Sequence, residues 1–178
     1  MGLDKIIQSR KSVRKFSSKK PDWRDIIKCV NSMRYTPMAG NNFSVKTILV
    51  NERDKIEKIS KNSQQDFVRD ANYVLVVYSE ESRTKSNFGD RGVMYLAQQA
   101  GAAIQNFLLK AEELGLSTCW IGHFVEDEIK RDLKIPKTGK IEAIIPIGYS
   151  AEKESKKRKI DLDNILYFNK SGNTNMKN

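Results

Sequence analysis

Two basic clusters carry the side chains best suited to holding an anion. The first reads Arg10-Lys11-Ser12-Val13-Arg14-Lys15-Phe16, with four cations around one hydroxyl and two apolar residues. Guanidinium groups offer fixed donor forks to phosphate oxygens, lysine adds a compact charge, and serine adds one more hydrogen bond. The second spans residues 153–159 and holds Lys153, Lys156, Lys157, Arg158 and Lys159. A phosphate-bearing cofactor or substrate is the more economical use of two separate clusters. The alternative for the first is a basic arm lying on the surface. In an extended segment Val13 would face away from Ser12 and Arg14, while Phe16 would share their side. Alternation alone therefore leaves the geometry of this stretch open.

Other candidate groups are sparser. The run Pro37-Met38-Ala39-Gly40-Asn41-Asn42-Phe43 has loop composition. Such a loop can present backbone N–H groups and asparagine amides to a ligand, or it can simply turn the chain before a strand. Gly122 follows Ile121 and suggests a close backbone approach there. His123 is next and is the only histidine, so a histidine-based metal cluster is excluded. Cys29 and Cys119 form no CxxC pair. They read as reduced structural residues, with redox sensing as the alternative. There is no GxGxxG fingerprint, no Walker lysine loop and no GxSxG elbow.

These groups need a scaffold. The 178 residues, 39% of them hydrophobic, suffice for one domain with a core. We expect a single domain over residues 1–168, with 150–168 as a C-terminal arm and 169–178 as a disordered tail. No apolar run is long enough to span a bilayer, and no secretory core follows the first lysine. A cytoplasmic location is expected. The formal net charge of +10 invites a nucleic-acid reading. No zinc-finger spacing, GxxG loop or RNP-like strand accompanies it.

The longest periodic segment runs from about Arg91 to Leu114. Met94, Ala97, Gly101, Ile104, Leu108 and Ala111 recur at spacings of three and four, with Ala100, Ala103 and Phe107 beside them. That is the helical period. Asp90 is a candidate N-cap and Gly115 a C-terminal stop. The row of small residues would let another helix come close. Further helices are expected at Leu3 to Ser9, Pro21 to Met33 (with Pro21 in the first turn), Glu52 to Ser60 and Glu126 to Leu133. The stripe of the second is Trp23, Ile26, Ile27, Val30 and Met33. Strands are expected at Val45 to Val50, Tyr73 to Tyr78, a short piece near Cys119 to Ile121, and Lys140 to Tyr149. Pro146 points to an edge or a bulge in the last. Residues 79–89 read as an exposed loop.

In this order the motifs resemble the flavin-dependent (FMN) nitroreductase family. The resemblance rests on the Arg10 to Phe16 stretch and on Pro37-Met38-Ala39-Gly40-Asn41. It continues through Gly101-Ala102-Ala103-Ile104-Gln105-Asn106, Gly115 to Gly122, and Gly148-Tyr149 followed by Lys156-Lys157-Arg158. It implies an α+β fold, a three-layer α/β/α sandwich with a mostly antiparallel sheet and a long central helix. It also implies a homodimer whose central helices pack together, with FMN at the interface. Hydride would pass from NADH or NADPH through flavin N5 to a small acceptor such as a nitroaromatic or a quinone. The flavin would carry the chemistry, so no catalytic residue and no metal are assigned.

Carried over by residue, Arg10, Ser12 and Arg158 resemble phosphate ligands, assisted by Lys11 and Lys156. Arg14 resembles the group near the pyrimidine side of the ring, where its role is electrostatic. Asn41 resembles a loop residue arriving from the partner subunit. The backbone at Ile121 and Gly122 resembles the segment along the ring edge. Met38, Phe43-Ser44-Val45 and Gln99 depart from the family pattern, which usually has Ser, Gln-Pro-Trp and Asp at these places. The rival readings are a specialised flavoprotein of the same fold, acting in dehalogenation or flavin processing, and a basic nucleic-acid-binding protein.

Overall fold

The structure, a computed structural model, describes residues 2–80, 83–153 and 159–176. Four strands form one antiparallel sheet in the order β1-β2-β4-β3. They are β1 (Val45–Val50), β2 (Tyr73–Glu80), β3 (Ser117–Thr118) and β4 (Gly139–Gly148). The helices are α1 (Leu3–Ser9), α2 (Trp23–Ser32), α3 (Arg53–Ser63), α4 (Arg83–Phe88), α5 (Asp90–Glu113) and α6 (Glu126–Leu133).

Both faces of the sheet are buried, and the strand period divides them. Tyr73, Leu75 and Val77 of β2 pack with Ala143, Ile145 and Ile147 of β4 against α2 and α5. Val74 and Val76 turn the other way and join Ile144 beneath α3 and α6, with Ile56, Ile59 and Ile129. The result is a three-layer α+β sandwich whose four strands all pair antiparallel. The near-continuous β-branched content of β2 follows from this double burial.

Helix α5 lies across the first face and buries Leu96, Gln99, Ala100, Ala103, Ile104, Phe107, Leu108 and Ala111. Gly115 ends it at φ +73. Leu116 N–H donates to Ala111 O at 2.8 Å and Gly115 N–H to Glu112 O at 3.0 Å, the paired bonds of a Schellman stop. The start differs from expectation. Gly89, at φ +56, is the N-cap, and Asp90 is the first helical residue. Met94 is exposed rather than core. A Cβ at Gly101 would find only ordinary contact, 3.8 Å from Trp120 Cη2. The close-packing glycine of this helix is Gly92, where a Cβ would stand 2.6 Å from Thr84 O and 2.7 Å from Lys85 Cα.

Three other expectations are corrected. The described residues of 79–89 are not all loop, because Ser79 and Glu80 extend β2, and α4 packs on α5 with Thr84 buried. Pro21 precedes α2, and Asp22 caps it by accepting the Arg24 N–H at 2.9 Å. Trp23 and Ile27 are about half exposed, so the core stripe of α2 narrows to Ile26, Cys29 and, just beyond the helix, Met33, with Val30 packed at its margin.

Pro146 lies on an interior strand, and the bulge sits elsewhere. Val77 pairs with Ala143 and Tyr78 with Ile141, which leaves Glu142 as the extra residue. It accepts the Ser79 hydroxyl at 2.7 Å. The proline acts on the opposite side. Ile121 and Ile144 exchange both ladder bonds at 3.0 Å. Two residues along, the same register sets Cys119 against Pro146, which has no N–H to give. Pairing between β3 and β4 is interrupted there, so β3 is short and Ile121 forms an isolated bridge.

Candidate functional site

The basic N-terminal stretch is clamped between two other segments. Val13 and Phe16 are buried together with Ala71 and act as its anchors. They are three residues apart, so the stretch does not follow simple strand alternation. Ser12 bridges Thr118 in parallel sense, and Val13 N–H donates to Thr118 O at 2.9 Å. On its other side Phe16 bridges Ser150, Ser17 N–H donates to Tyr149 O at 2.8 Å, and Ala151 N–H donates to Lys15 O at 2.9 Å. Gly148 makes room for this junction, since a Cβ there would stand 2.9 Å from Phe16 Cδ1.

With the anchors inside, the donors stay accessible. Arg10, Lys11 and Ser12 are half-buried and Arg14 is exposed. The set consists of guanidinium, ammonium and hydroxyl groups, which suits an anion and not a cation. Two further charges come from the surroundings. Lys19 lies 4.7 Å above the Tyr149 ring and Lys20 5.3 Å above the Tyr73 ring, which holds these lysines against the domain.

The sequence did not point to Glu152, which lies inside this basic junction. Its Oε1 accepts the Arg14 backbone N–H at 2.6 Å, and its Oε2 is 3.7 Å from Lys11 Nζ. The only cue was an acid at the head of a lysine-rich run. Glu152 stands shortly before Lys156 and Arg158, both of which lie outside the described residues.

The Ile121–Gly122 segment continues directly from Thr118, so the structure places it next to the Ser12 contact. Both backbone groups of Ile121 are engaged with Ile144, and its side chain is buried. Gly122 is exposed, with open space where a side chain would stand. Of this pair, Gly122 is the residue open to solvent. Trp120, about two-fifths exposed, stands between these residues and Gly101 of α5. His123 is exposed just beyond.

Asn41 sits apart, on a loop whose described hydrogen bonds reach α4 and α5. Asn41 itself is exposed and adopts φ +53, a left-handed conformation asparagine tolerates. Asn42 Nδ2 donates to Thr84 Oγ1 at 3.0 Å. Gln99, buried on α5, donates from Nε2 to Asn42 O at 3.0 Å and accepts the Ser44 N–H at 2.8 Å. A Cβ on Gly40 would meet the Phe88 ring at 3.4 Å. Gln99 is thus a second functional candidate that sequence reasoning noticed only as a departure from pattern.

The cysteines supply no nucleophile. Both are buried thiols, and burial pushes the Cys29 thiol up to about 12. Among the described residues no group of His, Cys, Asp and Glu could hold a metal ion. No helix there is long and apolar enough to cross a membrane.

The nitroreductase family model matches residues 7–64 and 54–149. A relative in Methanothermobacter thermautotrophicus, provisionally named an NADH dehydrogenase/NAD(P)H nitroreductase, is 29% identical over 170 residues, covering 93% of this chain and 86% of its own. The crystal structure of a nitroreductase family protein from Clostridium novyi NT is 26% identical with a TM-score of 0.78, covering 97% of this chain and 96% of that one. An FMN-dependent nitroreductase from Clostridium difficile R20291 has a TM-score of 0.79 at 24% identity, covering 93% of this chain and 98% of that one.

Proposed function

The chain belongs to the nitroreductase family, and from that premise we propose that it is an FMN-dependent oxidoreductase using NADH or NADPH to reduce a small acceptor such as a nitroaromatic or a quinone. The observation that carries the reading is the junction at Ser12. There a basic stretch is tied to Thr118 on one side and to residues 149–152 on the other. The donor set fits the phosphate of FMN, and the open backbone at Gly122 fits a flat ring lying beside it. The Clostridium difficile relative, described as FMN-dependent, supports the same cofactor.

When bound, FMN supplies a ring that takes hydride from a reduced nicotinamide and yields the electron pair to the acceptor. The chain's task is binding and orientation. Arg10, Lys11 and Ser12 would hold the phosphate, and Lys156 and Arg158 are assigned to it as well, from the sequence alone. Arg14 would supply a positive charge to stabilise the reduced ring, and the Gly122 backbone would offer it an N–H. Buried Ile121 fixes where Gly122 stands. Proton transfer asks nothing of a buried acid or base in this scheme.

Asn41 is assigned to the site of a second subunit. A homodimer is supported by apolar side chains left exposed on three elements: Leu3 and Ile7 on α1, Val93 and Met94 on α5, and Ile160, Leu162 and Ile165 on the arm. Single exposed apolar residues are ordinary, but exposure shared by α5 and an arm with little core of its own points to a partner surface.

The test is direct. Protein as purified, or after incubation with FMN, should be yellow and should bleach under anaerobic NADH or NADPH. Colourless protein that gains no FMN, yet binds nucleic acid tightly at moderate salt, would overturn the reading in favour of the nucleic-acid alternative.

A further inference from the structure

We propose that Glu152 is the internal counter-anion of the phosphate clamp, and that an incoming phosphate takes its place on Lys11. The inference rests on the FMN reading above. Its starting point is a charge that does not belong in an anion site: a carboxylate packed against a stretch whose charged side chains are all cations. Glu152 is not a side chain swinging past. Its own N–H donates to Ser150 Oγ at 3.1 Å, and the preceding residue, Ala151, is bonded to Lys15 O at 2.9 Å. The Lys11 and Glu152 side chains are 23% and 27% exposed, so the pair is only partly open to water.

The two contacts of the carboxylate differ in what they require. The Arg14 N–H at 2.6 Å needs only an acceptor oxygen, and an amide oxygen would serve. The Lys11 contact, at 3.7 Å, is too long for a good hydrogen bond and needs charge. A phosphate dianion attracts the ammonium more strongly than a carboxylate does, so it can draw Lys11 away while Arg14 stays tied. A monoanion gains nothing by that exchange. Glu152 therefore lowers the resting charge of the clamp and biases it toward dianions, and it holds Lys11 near the site until one arrives. It acts through Lys11 and is a positioning and specificity residue.

The experiment compares the full-length protein with Glu152→Gln by flavin fluorescence titration, using FMN and riboflavin on flavin-free protein. Glu152→Gln keeps the acceptor for Arg14 and removes the charge. FMN should bind about three- to tenfold tighter, as expected for releasing a partly screened ion pair. Riboflavin, with no phosphate, should bind as before. Inorganic phosphate should compete with FMN at correspondingly lower concentration. In a Lys11→Met background the same change should lose most of its effect, and circular dichroism checks that each variant is folded. An unchanged or reduced preference for FMN over riboflavin in Glu152→Gln would overturn the proposal while leaving the clamp standing. Wild-type protein that does not prefer FMN to riboflavin would remove the clamp itself, and this role with it.

Discussion

The side-chain oxygen of Gln99 accepts the backbone N–H of Ser44 at 2.8 Å, 55 residues away in sequence, at the edge of the α5 core. The other end of the same amide donates to Asn42 O at 3.0 Å. One buried side chain thereby closes on the backbone two residues apart and sets the exit of the loop that carries Asn41. Gln99→Leu removes an acceptor and a donor from this loop while keeping side-chain volume. Removing a partner from a buried backbone group costs about 1–3 kcal/mol. We expect a loss of that order in urea unfolding. FMN retention should also weaken, because the Asn41 loop loses its brace. Full stability in Gln99→Leu would show that other contacts hold the loop.

Gly148 and Phe16 make the second test. A Cβ at 148 would lie 2.9 Å from Phe16 Cδ1, and Phe16 is a buried anchor of the basic stretch. Gly148→Ala must move the ring. Overpacking of this kind costs about 1–3 kcal/mol. The displacement should be local, so limited trypsin digestion ought to cut faster after Lys11, Arg14 or Lys15 than in the wild type. Uniformly faster cleavage across the chain would mean the sheet had loosened instead.

Long periodic elements were legible in the sequence because their signal is internal. Helix α5 shows its period over many turns and ends on Gly115, and α1, β1 and α6 fall where their apolar patterns put them. Helix α4 was not legible. Five of its six residues are polar, with Phe88 alone as an apolar cue, and it forms by docking on α5 where Gly92 lacks a side chain, a tertiary contact with no local period. The α2 stripe was overread because Trp23 and Ile27 keep the helical spacing yet stay half exposed. The basic stretch was visible as chemistry, but what holds it was not. Glu152 and Gln99 act on backbone 138 and 55 residues away, and spacing along a chain cannot report that.

Arg10 tests the clamp most simply. Arg10 is half-buried at the end of α1, and its backbone N–H is already used on Ile6 O at 3.1 Å, so replacing the side chain leaves the helix end intact. A hydrogen bond to a charged group contributes about 1.5–3 kcal/mol. Arg10→Ala should therefore weaken FMN binding about 10- to 100-fold, with riboflavin unaffected. Lys153→Ala, an exposed residue of the second cluster, should change FMN binding by about twofold at most. Equal losses from both variants would mean diffuse attraction, not a clamp.

Glu126 gives the protein a defined acid sensitivity away from the site. Burial alone would push its carboxyl up, but Lys130, at 2.8 Å, and the Ile141 N–H, at 2.8 Å, outweigh it and hold the group below the usual carboxylate range. The Ile141 contact joins the first turn of α6 to β4 beside the Glu142 bulge, while the Lys130 pair lies within α6. A carboxylate depressed in the folded state contributes stability that is fully present above its unfolded value, about 4.3, and is lost as pH falls through the lower folded value. Glu126→Gln keeps an oxygen for the Ile141 N–H and gives up the charge facing Lys130. Urea unfolding should find it less stable than the wild type at pH 7, with the gap closing as pH drops below about 4. A gap of the same size at both ends of that range would assign the loss to packing around α6 and not to the ionised carboxylate.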